Sequence, residues 1–304
     1  MGRKNKPDTA TGVIIINKHE GVTSHRIVQI LRRMYDTSRV GHTGTLDPNA
    51  TGVLPVALGG ATRFIELLPT HTKAYEATFK LGVRTDTLDI WGEVLETSDK
   101  EASFEEIKEA AKSFSGEIEQ LPPMYSALKK DGVRLYELAR QGKEVEREKR
   151  KCHIYSLTVG EAQDGEYSLT CECSAGTYMR TLISDIGDMV GTGAVMTSLK
   201  RTYACGVNID ECYTLSQLQE MRDKGEIEKA VIPVDKLLQS YPEVTVSDSQ
   251  ATRFSNGGDL AAIRVKSLSG YGIYRVYGKN KFLGLGEYLE GSESLTVKRV
   301  FVER

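Results

Sequence analysis

No part of this 304-residue sequence holds the ~20 consecutive apolar residues that cross a bilayer as a helix, so a membrane-spanning helix is excluded. The opening "MGRKNKPDTATG" is basic without an apolar core and does not read as a signal peptide. Lys6 stands where N-myristoylation needs Ser or Thr. A cytoplasmic location is the expectation. Cysteine is scarce. Cys152, Cys171, Cys173, Cys205 and Cys212 form an odd set without a CxxC pair, which argues against a zinc site and a disulfide framework. A GxxxxGK[ST] phosphate loop is missing, and so is the DxD pair that an aspartate-based, magnesium-dependent phosphotransferase needs. Neither metal nor cofactor is expected. Internal repeats and low-complexity tracts are absent as well.

A strong net charge is also lacking, the formal total being −2. That total hides a sorting along the chain. Residues 1–50 carry eight Lys/Arg against four Asp/Glu, and residues 124–151 and 250–304 each carry nine against five. Residues 86–119 reverse the sign, with three against eleven. Three basic stretches that converge in space would make a phosphate-binding face.

What the sequence does contain is a clear alternation of strands and helices. "GVIIINK" reads as a strand, and "HRIVQILRRMY" puts Ile27, Ile30, Leu31 and Met34 on one helical face, with Ser24 as the expected N-cap. "KAYEATFKLGV" alternates as a strand. Ser103 and Glu106 form a capping box that opens an acidic helix. Residues 124–151 are basic and turn-rich, an excursion from the core with a short helix near Leu135. Two strands, "CHIYSLTVGEA" and "EYSLTCECS", set Cys171 and Cys173 on one face and lead to a helix expected to start at Thr177. From about Pro242 the texture changes to short strands and glycine turns, a small β domain.

One twelve-residue stretch stands apart. "GHTGTLDPNATG" surrounds a single carboxylate, Asp47, with three glycines, three threonines, His42 and no lysine or arginine. Pro48 forces Asp47 into an extended conformation and keeps helix out of the stretch. Glycine lets backbone approach a ligand closely. A second oddity is Arg180, a cation in the first turn of a helix, where the dipole opposes it by a few tenths to about 1 kcal/mol. An arginine tolerated there is a candidate partner for a carboxylate. Tyr75 early in its strand, Asp89 in "RTDTLDIWG" and the single tryptophan, Trp91, each read on their own as packing or loop residues.

In order and spacing, "NKHEGVTSH", "GHTGTLDPNATGVLPVALGGATRF", "KAYEATFKLGVRTDTLDIWGEV", "PPMYSALKKDGVRLYELARQGKEVE" and "CSAGTYMRTLISDIG" resemble the successive motifs of the TruB family, the bacterial tRNA pseudouridine-55 synthases, over roughly residues 11–235. The resemblance implies an α+β pseudouridine-synthase fold, a mixed, mainly antiparallel sheet flanked by helices, with a small C-terminal PUA-like β domain. It implies a catalytic domain over residues 1–240, with an RNA-gripping thumb inserted at about 124–151, and an RNA-binding domain over 241–304. It marks Asp47 as the catalytic aspartate, Tyr75 as the tyrosine that stacks on the target base, and Arg180 as the partner of the aspartate. His42, Lys18, Asp89, Tyr178 and Leu199 fall at RNA- or pocket-facing positions, and Lys129, Lys130 and Arg134 belong to the thumb. His19 departs from the family, in which many members have proline. The implied partner is the T arm of tRNA, with no obligatory protein partner and a monomeric state.

The implied chemistry suits these residues. Uracil leaves ribose C1′ at N1, turns, and rejoins through C5, with no redox change and no activated water. A single carboxylate beside C1′ suffices, and a nearby guanidinium favours its charged form. It meets an oxocarbenium-like centre of the kind glycosidase carboxylates meet, and the covalent, charge-stabilising and proton-abstracting routes all remain open. The alternative is a non-catalytic RNA-binding or tRNA-folding protein on the same scaffold.

Overall fold

The computed structural model describes residues 10–302; the opening residues with Lys6, and the last two, lie outside the described residues. Among the described residues, 9 strands form one sheet. Its main path runs Gly12–Lys18, Thr51–Leu58, Ala194–Ala204, Thr72–Leu81, Glu166–Ser174, Arg150–Gln163 and Gly116–Gln120. Neighbours are antiparallel except at one place. Thr51–Leu58 meets Ala194–Ala204 in parallel, through only Lys200↔Thr51 and Arg201↔Gly52. This short junction is a seam between two halves of the sheet, and the candidate site lies on it.

Both faces of the sheet are covered, which explains why residues 13–16 of its first strand are all apolar rather than alternating. Ile14 and Ile16 pack with Ile27, Leu31 and Met34 of the Ser24–Met34 helix. Val13 and Ile15 face the other way, towards Phe64 of the 3₁₀ segment Gly59–Leu67. Across the seam, Tyr75, Ala77 and Phe79 pack beneath Leu182, Ile183 and Ile186 of the Met179–Val190 helix and Ile107 of the Phe104–Lys112 helix. The capping box of Ser103 and Glu106 is in place.

Two helix starts differ from expectation. Thr23, not Ser24, caps the first helix, its hydroxyl accepting from the Arg26 amide. Tyr178, not Thr177, precedes the Met179–Val190 helix, and the Thr177 hydroxyl donates back to the Ser174 carbonyl instead. Both hydroxyls bond backbone near the helix entry, and sequence spacing alone does not choose between such bonds.

A second, 5-stranded sheet begins at Glu243. It is the expected PUA-like β domain, and it is docked rather than tethered. Phe282 and Phe301 close on Phe64 with ring centroids 5.8 and 5.9 Å away. Tyr241 Oη donates to the Leu67 carbonyl and Tyr277 Oη to Asp235. Residues 124–151 form a small hairpin, Lys129–Lys130 with Val133–Arg134, followed by the Leu135–Ala139 helix.

Candidate active site

Asp47 sits in the loop between the short strand Val40–His42 and Thr51–Leu58, and its neighbours on both sides are fixed. Before it, the buried Ser24 hydroxyl donates to the Leu46 carbonyl and accepts from the Leu46 amide, both at 2.9 Å. After it, the Pro48 carbonyl accepts from Lys18 Nζ at 2.9 Å and from the Gly21 amide at 3.0 Å. The Ala50 amide closes a turn on the Asp47 carbonyl. The carboxylate is left facing outward with 42% of its side chain accessible.

Arg180 meets it from the second residue of its helix. Nη2 lies 3.0 Å from Asp47 Oδ2 and donates to the Tyr125 carbonyl at 2.8 Å, while Nη1 donates to the Thr87 carbonyl at 2.9 Å. The guanidinium is 6% exposed. One side chain therefore joins the aspartate loop, the loop of residues 86–93 and the root of the thumb. Its position against the helix dipole is tolerated because a carboxylate and two carbonyls receive it. Asp89 Oδ2 stands 3.8 Å from Nη1. Burial raises the Asp89 pKa, opposed by the Thr87 hydroxyl, Arg180 and the Trp91 amide. Trp91 itself is 46% exposed, so it is not the core packing residue expected of it, and its backbone amide donates to Asp89.

A cavity of about 260 Å³ opens beside the Asp47–Arg180 pair, with Tyr75, Leu199, Tyr178 and Lys73 in its wall. Tyr75 is buried, and burial raises its phenol pKa, partly offset by the positive charge of Arg201. Arg201 was missed in the sequence. It is 1% exposed, pairs with Gly52 on one side and Tyr75 on the other, and sends Nε to the Val53 carbonyl at 2.7 Å and Nη2 to the Gly44 carbonyl at 3.3 Å. It fastens the aspartate loop to the tyrosine strand across the seam. The Gln120 side-chain amide was missed too; it holds Tyr178 through both its amide and its carbonyl.

Other expected site residues fall elsewhere. Lys18 is fully buried, and its three N–H groups go to the carbonyls of His19, Val22 and Pro48, so it has no donor left for RNA. Its expected RNA-binding role is replaced by a splinting one. Burial pulls its pKa to about 8 against the opposing pull of Asp47. His42 is half-buried outside the cavity wall, with Nδ1 unpartnered among the described residues. Burial, then Arg201, His25 and Arg134, lower its pKa, which keeps the ring neutral at neutral pH. Lys129, Lys130 and Arg134 are exposed on the thumb.

The fold recurs in solved structures. A Cbf5-Nop10-Gar1 complex matches with a TM-score of 0.74 and 26% identity, over 100% of this chain and 92% of that one. An H/ACA RNP bound to a substrate RNA containing 2′-deoxyuridine matches with a TM-score of 0.72 and 26% identity, over 96% and 85%. With a lone loop carboxylate held by a helix arginine beside a strand tyrosine, this sheet defines a pseudouridine synthase. The N-terminal domain of TruB family pseudouridylate synthases matches residues 32–179, and two TruB C-terminal domains match 180–239 and 242–301. The tRNA pseudouridine synthase B of Aromatoleum aromaticum is 41% identical over 95% of this chain and 92% of its own length, and that of Clostridium kluyveri 44% over 90% and 94%. The chain belongs to the TruB family.

Proposed function

We propose that this chain converts a uridine of tRNA to pseudouridine, at position 55 of the T arm, with the base turned out of its stack into the cavity beside Asp47. The observation that carries this reading is the 3.0 Å contact between Arg180 and an otherwise accessible Asp47. A carboxylate so held is aimed and open to a ribose. Extruding a base costs a few kcal/mol, and stacking on Tyr75 returns about 1–3 kcal/mol of it. Asp47 then acts at C1′. The thumb and the β domain supply phosphate contacts that fix position rather than read sequence. Relatives named for tRNA support the substrate, and no helix among the described residues is long and apolar enough to cross a membrane. The protein acts as a monomer without an obligatory protein partner, in the cytoplasm. Its catalytic unit ends near residue 240.

Tritium release from tRNA carrying [5-³H]uridine tests the reading. Asp47→Asn should lower the single-turnover rate by on the order of 10⁴-fold or more while tRNA affinity stays within about threefold. Isomerisation at wild-type speed in that variant would refute it. Mapping pseudouridine in tRNA from cells with and without the gene tests position 55.

A further inference from the structure

Lys73 lies in the same cavity wall as Asp47 and Tyr75. It precedes Tyr75 by two residues on the Thr72–Leu81 strand, so both side chains project from one face. Its strand partners are Cys173 and Ala204. Nζ lies beside Gly44, 3.2 Å from where a Cβ on that glycine would stand. A side chain at Gly44 would crowd the ammonium. Among the described residues Nζ makes no hydrogen bond and no ion pair. The Arg201 guanidinium repels it, and the neighbouring Cys173 thiol is a weak acceptor. Burial pulls its pKa down to about 8. The other two cations of the site are engaged: Arg180 on Asp47 and two carbonyls, Arg201 on two carbonyls. A half-buried ammonium with three free donors, next to a second cation, suits an anion that arrives with the substrate.

The reaction itself generates one. When the C1′–N1 bond breaks, its electron pair goes to N1, and the base becomes a uracil anion with its charge shared between N1 and the carbonyl oxygens O2 and O4. We propose that Lys73 is a catalytic residue that donates to a carbonyl oxygen of the detached uracil and stabilises its negative charge, while the Arg180–Asp47 pair acts at the sugar. Bond formation from C5 to C1′ then removes the charge, the C5 proton is lost and N1 is protonated. The proposal rests on the functional reading above. Donors aimed at charge that exists only after bond breaking act on rate rather than on ground-state binding.

The test compares single-turnover rates and tRNA affinities of the wild type, Lys73→Gln, Lys73→Arg and Cys173→Ala, each checked for folding by circular dichroism and thermal melting. Asp47→Asn serves as the separate control for the functional reading. Lys73→Gln should lose on the order of 100-fold in rate, with affinity within about threefold. Lys73→Arg should recover part of the loss. On tRNA carrying 5-fluorouridine at the target, whose base leaves as a more stable anion but has no C5 proton to lose, the rate of rearrangement up to the C5–C1′ bond should show a much smaller gap between the Gln variant and wild type. Cys173→Ala should keep the wild-type rate. Three results would overturn the proposal: an unchanged rate in Lys73→Gln, a loss confined to affinity and to the salt dependence of binding, as for a phosphate contact, or an equal rate loss in Cys173→Ala, as for a lysine that only packs against the thiol.

Discussion

The aspartate loop and the thumb are both irregular, both lie at the cavity, and are built on opposite principles. The loop around Asp47 is stitched to other parts of the chain at Gly44, Leu46, Asp47 and Pro48, through Ser24, Lys18, Gly21, Arg201 and Arg180. The thumb folds mostly on itself. Leu135 is its buried anchor, Lys130 Nζ caps the Glu146 carbonyl, and Arg147 reaches the Pro122 carbonyl. Its hairpin residues Lys129, Lys130, Val133 and Arg134 are exposed. Chemistry at C1′ needs a carboxylate fixed to fractions of an ångström, because misplacement by about 1 Å can cost 100-fold. Gripping a folded RNA needs reach and charge, and phosphate contacts tolerate adjustment. Rigidity is concentrated where bonds change and withheld where the polymer is held.

If that contrast is correct, the stitching should be the most fragile feature of the molecule. Gly52 tests it hardest. Its φ is +99°, and a Cβ there would stand 2.1 Å from the Arg201 carbonyl oxygen. Gly52→Ala must open the seam or strain the backbone, and should cost about 3–5 kcal/mol in denaturant unfolding. A loss under about 1 kcal/mol would mean that the seam yields and the loop is not rigid.

Ser24→Ala probes the same contrast more gently. It strands the amide and carbonyl of the buried Leu46, at a cost of about 1–3 kcal/mol. Because Leu46 adjoins Asp47, single-turnover rate should fall by roughly tenfold, with tRNA affinity unchanged. If stability falls but the rate does not, the Ser24 clamp supports the fold without aiming the carboxylate.

The same contrast explains what could be read from the sequence. The thumb was visible as a local change in composition, and the glycine-rich surroundings marked Asp47 without any structure. Arg180 was conspicuous because it violates a local rule, a cation at a helix start. What the sequence withheld was the stitching. Lys18 and Ser24 hold partners 30 and 22 residues away, and Arg201 reaches the Val53 carbonyl across 148. In "SLKRTYACG" the arginine looks like one polar residue of an alternating strand. Only the register Arg201↔Gly52 and Arg201↔Tyr75 turns it into a buried fastener. Trp91 misled in the opposite direction: its residue type suggested a core, while its loop is held by the Asp89 carboxylate and the Thr85 hydroxyl instead.

The thumb should respond to substitution in the complementary way, with the smallest effect on the folded protein. Lys129→Gln, Lys130→Gln and Arg134→Gln remove exposed charges, so each should change stability by no more than about 0.5 kcal/mol. Saturating single-turnover rate should hold, because none of the three touches the Asp47–Arg180 pair. Affinity for tRNA should fall, and the slope of log affinity against log salt should become shallower by about 0.7–0.9 for each lost phosphate contact. Lys130 should give the weakest response, since Nζ already donates to the Glu146 carbonyl and must leave it to reach a phosphate. A rate loss at saturating tRNA with an unchanged salt slope would reverse the contrast, making the thumb part of the geometry of the reaction rather than a grip on the polymer.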